Sequence, residues 1–295
     1  MNSCRKIKYH IVKNIPAEMY PLCIELGYVK NVGKKCNLEH PCTYTEKIQW
    51  AKLHRRNQLL EMLSDKIRVR KWIEEKIGKD YLIPILQGPY NSAEEIDFDS
   101  LPERFVIKAN HGSGFNYVVN NKSEINLDKA IKTANSWLDI NFAYTTLELQ
   151  YQNIKPQLYV EENILNINVG DLPDYKFFCF NGKVYCLYVM VNTYPVHTNA
   201  KLGICDRDFN LLPYYREDFE PIKDQIEKPE NYDKMVEIAE ILSTGFSHVR
   251  VDLYNIKGKI YFGEMTFSTG SGLFKCVPSE FDEMLGKQWD LTSGI

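Results

Sequence analysis

One stretch constrains this chain more than any other. Arg250-Val-Asp252-Leu-Tyr-Asn-Ile-Lys-Gly258-Lys-Ile-Tyr-Phe-Gly-Glu264-Met-Thr266 holds two alternating runs around the turn signal Asn-Ile-Lys-Gly. A three-residue loop, Ile256-Lys257-Gly258 with Gly258 left-handed, sets Arg250 opposite Glu264 in an antiparallel hairpin. Asp252 then lies one diagonal step away on the same face. Diagonal neighbours are about 7–8 Å apart at the backbone, close enough for two carboxylates to share a metal ion. A two-residue loop puts Asp252 and Glu264 on opposite faces and removes the site. Val249, Val251, Leu253 and Phe262 give the other face to a core. Read alone, the charges fit a solvated ion-pair ladder as well as a metal site.

The rest of the chain has to decide, and 295 residues allow two domains or three small lobes. A net charge of −3 leaves no basic footprint for nucleic acid. No run approaches the length of a membrane span, and Met1 to His10 lacks the apolar core of a secretion signal. Arg5, Lys6 and Lys8 are too few to mark a membrane surface. These features point to a cytoplasmic protein. The eight cysteines show no Cys-x-x-Cys pair. Cys36-Asn-Leu-Glu-His40-Pro-Cys42, with Cys23 upstream, matches no common zinc spacing.

In chain order, residues 1–40 hold a short helical pattern and irregular structure. Thr43-x-x-Glu46 is a capping box opening a helix to about His54. Short helices follow over Asn57–Leu63 and from Ser64 or Asp65 to Ile77, where Gly78 stops the second. Gly88-Pro89 reads as a turn before an acidic boundary stretch. Phe105–Asn110 and Asn116–Val119 are strand-like around a loop, Leu127–Asp139 is helical, and Gln157–Glu162 is a strand ending in acids. Asn181-Gly182 marks a hairpin. Residues 195–230 give no clear element. Asn231–Leu242 is an amphipathic helix, and Phe281–Gly286 a short one. Helices and hairpins together predict an α+β fold with antiparallel sheets.

Several pieces can carry chemistry. Lys108 ends a strand and precedes the loop His111-Gly112-Ser113-Gly114. A glycine loop brings backbone N–H groups close to an anion, and a lysine adds a point charge. The same loop is also a common hairpin tip and fits neither standard phosphate-binding pattern. Glu161 and Glu162 can meet an adenine edge and a ribose, or be a solvated strand end. Lys176 can neutralise a phosphate, or pair with Asp174. Asp252 and Glu264 suit Mg²⁺, which takes one or two carboxylates with phosphate oxygens.

In this order the pieces resemble the ATP-grasp superfamily. More narrowly, Thr45-Glu-Lys-Ile-Gln-Trp50, Asp65-Lys66-x-x-Val-Arg70, Phe105-Val-Ile-Lys-Ala-Asn110, Asp174-Tyr-Lys-Phe-Phe178, Arg250-Val-Asp-Leu-Tyr254 and Phe262-Gly-Glu-Met-Thr266 resemble the TupA-like ATP-grasp family of polysaccharide and teichuronopeptide gene clusters. The resemblance covers residues 43–286. It implies a helical N-terminal region (1–95), a central lobe with the glycine loop (96–160) and a C-terminal lobe with a magnesium site (161–295), the nucleotide lying between two α+β lobes. It implies Lys66 and Lys108 as nucleotide lysines, the 111–114 loop over the phosphates, and Glu161 and Glu162 at the adenine and ribose. Asp252 and Glu264 become the magnesium carboxylates, with Thr266 where many relatives have Asn. Arg250 matches an arginine that stabilises the transferring phosphoryl group and the developing oxyanion, and Lys176 is the second expected catalytic residue.

The implied activity is an ATP- and Mg²⁺-dependent carboxylate–amine ligase working through an acyl phosphate. Its partners are a uronic-acid carboxylate of a surface polysaccharide or its precursor, and an amino acid or small amine. A phosphotransferase on the same scaffold, a glycosyltransferase and a silent nucleotide-binding protein are the alternatives.

Overall fold

The computed structural model describes residues 3–166, 172–193 and 200–294, with side chains from Tyr9 onward. The chain forms two compact units, one of residues 1–56 with 170–295, the other of residues 57–169. Among the described residues every strand pair is antiparallel except β7 with β9, named below.

The first unit begins with α1 (Ser3–Asn14), α2 (Tyr20–Val32) and α3 (Tyr44–His54). The N-terminal helices are longer than the sequence pattern predicts. At α3 the capping box forms: the Glu46 N–H donates to Thr43 Oγ1, and the Glu46 carboxylate accepts from the Thr43 N–H at 3.1 Å.

The second unit holds α4 (Gln58–Ser64), α5 (Val69–Ile77), β1 (Ile85–Tyr90), β2 (Phe105–Ala109), β3 (Asn116–Val119), α6 (Leu127–Leu138), α7 (Ala143–Thr146) and β4 (Leu158–Glu162). The sheet order is β1-β4-β2-β3. One sheet face packs Phe105, Ile107, Ala109, Leu158 and Val160 against Ala130, Ala134 and Trp137 of α6. Strand β1 runs through Gly88-Pro89, which reads as a turn in the sequence. Gly88 has a φ of 106°, and the register with β4 slips between Gln87 and Tyr90, so the irregularity is absorbed as a bulge.

The first unit continues with β5 (Asp174–Phe180), β6 (Lys183–Val191), β7 (Lys201–Asp206), β8 (Tyr215–Arg216), β9 (Glu220–Pro221), α8 (Tyr232–Ser243), β10 (His248–Ile256), β11 (Lys259–Thr266), β12 (Cys276–Val277) and α9 (Glu280–Gln288). Its main sheet runs β11-β10-β5-β6-β7-β9, and β12 pairs with β8. Phe178, Phe180, Tyr188 and Ile204 pack with Tyr44 and Ile48 of α3 and with Phe281 and Leu285 of α9. The strands β7 to β9 lie where the sequence shows no element. Leu202 to Cys205 are all buried, so β7 has no alternation to read.

The β5–β6 and β10–β11 turns each have two residues, with φ of 49° and 75° at Asn181-Gly182 and 50° and 81° at Lys257-Gly258. The second turn corrects the three-residue loop expected from the sequence. Ile256 pairs with Lys259, Leu253 with Phe262, but Asp252 with Glu264. Gly263 is therefore one extra residue in β11, and this bulge restores the parity that the shorter turn removes.

Candidate active site

In the first unit, Glu264, Asp252 and Lys176 form one row across β11, β10 and β5, and Thr266, Arg250 and Phe178 form the next. Arg250 thus lies opposite Thr266 rather than Glu264. Its guanidinium grips Asp252 with two donors, Nε to Oδ1 at 2.7 Å and Nη2 to Oδ2 at 2.6 Å. Nη2 also reaches Thr266 Oγ1 at 3.0 Å and Glu264 Oε1 at 3.3 Å, while Nη1 donates to Thr269 Oγ1 at 3.2 Å. Thr266 Oγ1 donates to Glu264 Oε1 at 3.1 Å. Lys176 donates to Asp252 Oδ2 at 2.9 Å and also to Asp174, so it faces the cluster and pairs with Asp174 as well.

Burial opposes ionisation at Asp174, Lys176, Arg250 and Asp252. At Asp252 burial is outweighed by Arg250 and Lys176, which hold the carboxyl below the usual carboxylate range. Burial is likewise outweighed at Arg250 by Asp252, and at Lys176 by Asp174 and Asp252, so both cations hold their protons more tightly. Asp174 differs: burial prevails over Lys176 and raises its pKa. Its Oδ1 is buried with no hydrogen-bond partner.

The loop after β11 completes this surface. Ser268 and Thr269 are buried, and Gly270, Ser271 and Gly272 all have left-handed backbones. Gln49 of α3 holds this turn, donating to the carbonyls of Ser271 at 2.8 Å and Gly272 at 2.9 Å. Lys52 donates to the Ser271 carbonyl at 2.6 Å. The Thr45-Glu-Lys-Ile-Gln-Trp50 run is thus a support for the loop that carries Thr269.

In the second unit, Lys108 lies on the β-sheet face away from α6 and pairs with Glu161. Arg70 Nη1 approaches the other Glu161 oxygen at 4.0 Å, and Arg70 Nη2 donates to the Ile83 carbonyl at 2.7 Å. Strand periodicity turns Glu162 to the opposite face from Glu161. The Glu162 N–H donates to the Pro84 carbonyl at 2.9 Å.

Lys66 and the glycine loop come together. The Lys66 N–H donates to the Asn110 carbonyl at 3.0 Å, and its ammonium donates to the Gly112 carbonyl. Ser113 and Gly114 are exposed at the tip. Gly112 is left-handed at φ 99°, and a Cβ there would sit 2.5 Å from the Phe142 ring. His111 is buried beneath the loop. Its Nε2 meets the carbonyls of Trp137 at 3.1 Å and Ile140 at 3.0 Å, and its pKa is lowered, burial first among the causes. The imidazole ties the loop to the end of α6.

The first unit's site carries oxygen donors suited to a hard divalent cation, with Asp252 and Glu264 at facing positions and the Thr266 hydroxyl beside them. Among the described residues no three His, Cys, Asp or Glu side chains form a metal-holding group, the Cys23–Cys42 region included.

Comparison with curated protein sequences gives no match. Among solved structures, the chain is similar to the D-alanine–D-alanine ligase of Bacillus anthracis, at 17% identity, 71% of this chain against 59% of that one, and a TM-score of 0.41. It is also similar to the D-alanine–D-alanine ligase of Helicobacter pylori (12% identity, 84% against 69%, TM-score 0.44). A third similar structure is an L-amino acid ligase of Bacillus licheniformis (12%, 91% against 59%, 0.46). The chain thus spans 59% of the first of these proteins. A family model described as TupA-like ATPgrasp matches residues 46–290. With the match running from α3 to the end of α9, the chain belongs to the TupA-like ATP-grasp family.

Proposed function

We propose that the protein is an ATP-dependent carboxylate–amine ligase of the ADP-forming kind. The observation that carries this reading is the cluster of Arg250, Asp252, Glu264, Thr266 and Lys176 on adjoining strands of one sheet. It has cations to neutralise a transferring phosphoryl group and no need of a protein nucleophile. Such chemistry depends on positioning and charge more than on covalent catalysis.

In this reading Arg250 is the preorganised donor for the charge that develops at the reacting carboxylate. Its grip on Asp252 fixes the guanidinium plane before substrate arrives, so no reorganisation is required during the reaction. Lys176 supplies the second positive charge. Asp252 and Glu264 would hold magnesium, with Thr266 beside them. The ion, when bound, draws negative charge from the phosphate oxygens. Residues 96–160 supply Lys108 and the loop at Gly112, Ser113 and Gly114 for phosphates; Lys66, before this range, supports that loop, and Glu161, just after it, would meet the nucleoside. Residues 161–295 supply the cluster.

The acceptor is the finer part of the proposal. A uronic-acid carboxylate of a surface polysaccharide or its precursor, joined to an amino acid or small amine, rests on the family resemblance alone. We place the reaction in the cytoplasm, where ATP is available.

The test is product analysis with ATP, Mg²⁺, and panels of uronic acids and amines. Release of ADP and phosphate that requires both acceptors supports the ligase. Release of AMP and pyrophosphate rejects it. ADP release with one acceptor and a stable phosphorylated product assigns a phosphotransferase instead.

A further inference from the structure

Helix α2 has two apolar faces. Tyr20, Ile24 and Tyr28 are buried on one, and the Tyr28 hydroxyl hydrogen-bonds Thr45 Oγ1 on α3 at 2.8 Å. The other holds Leu22, Leu26 and Val29, with Met19 at the helix cap. These four are 48, 63, 46 and 42% exposed. Their spacing of three, four and three puts them in an arc of about 80°, opposite the buried face. A helix anchored along one side thus presents a continuous apolar stripe on the other. Such patches mark interaction surfaces rather than ordinary scatter.

The segment that carries the stripe is basic overall, although α2 itself carries one acid, Glu25, and one base, Lys30. Residues 1–35 contain seven lysines and arginines against two glutamates, in a chain whose net charge is −3. Lys13, Lys30, Lys34 and Lys35 are all exposed. Glu25 pairs loosely with Lys35 at 3.9 Å, and Glu18 lies before the helix. The acidic excess of the chain therefore lies elsewhere.

We propose that this face seats α2 in the plane of an anionic lipid surface, with Leu22 and Leu26 entering the acyl boundary and the lysines meeting phosphate headgroups. Interfacial helices combine an apolar stripe with basic flanks in this way. The charge selects this occupant over a second copy. Face-to-face pairing of two such helices sets two basic regions against each other, whereas an anionic bilayer neutralises both. Among the described residues no helix is long and apolar enough to cross a membrane. None of these residues belongs to the candidate active site, and the inference stands apart from the ligase reading.

The test is flotation of the whole protein with vesicles of pure phosphatidylcholine and with vesicles containing one part phosphatidylglycerol to two of phosphatidylcholine. Binding to the anionic vesicles is expected, at least ten-fold stronger than to the neutral ones and weakened by added salt. Leu22→Gln with Leu26→Gln should lower that binding at least ten-fold while the thermal melt stays unchanged. Lys30→Gln, Lys34→Gln and Lys35→Gln together should remove the preference for anionic lipid. Equal or absent binding to both vesicles overturns the proposal, as does full binding by the double leucine variant. A dimer in lipid-free sedimentation that the leucine variant abolishes would assign the face to a second copy and also overturn it.

Discussion

Asp252 faces Glu264 across β10 and β11 because Gly263 is an extra residue in β11. The two-residue turn at Lys257-Gly258 would otherwise send the two carboxylates to opposite sides of the sheet. A Cβ at Gly263 would sit 3.0 Å from the Asp252 carbonyl oxygen and 3.3 Å from the Tyr254 ring. Gly263→Ala should therefore cost about 1–3 kcal/mol in denaturant unfolding, as overpacking does, and lower turnover with it. Deleting Gly263 should abolish turnover even where the chain still folds. Wild-type activity in the deletion variant would show that this facing pair is not needed.

Glu264→Gln is the cleaner test of the proposed magnesium ligands. The Glu264 side chain is 32% exposed, against 3% for Asp252. Removing the Asp252 charge leaves two buried cations short of their partner and should destabilise the unit by about 3 kcal/mol or more. Loss of activity in Asp252→Asn thus mixes folding with chemistry. Glu264→Gln should keep the wild-type melting temperature and lose at least a hundred-fold in turnover at saturating Mg²⁺. Near-normal turnover at that Mg²⁺ concentration would remove Glu264 from the site.

Lys108 and Glu161 make a pair within the second unit, and Arg70 stands at 4.0 Å on the far oxygen. In the proposed function Lys108 meets phosphate. Lys108→Met should then weaken ATP binding about ten-fold or more, read as a smaller ATP-induced rise in melting temperature. An unchanged ATP shift would make Lys108 a structural partner of Glu161.

Gln49 is fully buried and holds two carbonyls of the loop that carries Thr269. Gln49→Leu leaves both without that donor and should cost about 2–3 kcal/mol. Arg250 donates to Thr269, so turnover should fall further than stability alone explains, and partial denaturant titration can separate the two. Wild-type turnover at conditions where the variant is fully folded would confine Gln49 to stability.

His248 predicts a pH dependence of folding. Burial pushes its imidazole from 6.5 down to about 3, against the hydrogen bond to the Cys179 carbonyl, with Arg250 adding to the fall. The unfolded chain takes up this proton near pH 6.5 and the folded chain only near pH 3. The stabilisation is thus complete above about 6.5 and is lost as pH falls toward 3, at up to about 1.4 kcal/mol per pH unit. His248→Gln should have a flatter urea-midpoint profile between pH 7 and 4 than the wild type. Parallel profiles would show that another group governs the acid limb.

The local signals in the sequence were strong wherever one residue type sets the backbone. Thr43 and Glu46 cap α3, Asn57 caps α4 through the Leu60 N–H, and Asn181-Gly182 turns β5 into β6. Elements whose pairing is set at a distance were hidden. Strand β7 is buried on both faces, and β8 and β9 have two residues each. The hairpin of the candidate site shows the same division. Its charges were legible, but the turn length and the bulge are two register decisions that cancel, and no local pattern reveals either. The i,i+2 pairing of Asp174 with Lys176 was legible because both lie on one face of one strand, whereas the meeting of Arg70 with Glu161 needs strand and helix placement that a single sequence does not contain.

The first unit is assembled from both sides of an insertion, and this orders events during synthesis. Thr45 of α3 donates to Asp282 of α9 through its backbone at 2.9 Å and its hydroxyl at 2.6 Å, across a separation of 237 residues. Residues 57–169 can collapse on the ribosome as soon as they emerge. The first 56 residues have to wait, their apolar faces uncovered, until the last helix leaves the exit tunnel. Nascent-chain chaperones should therefore engage α3 until α9 has emerged.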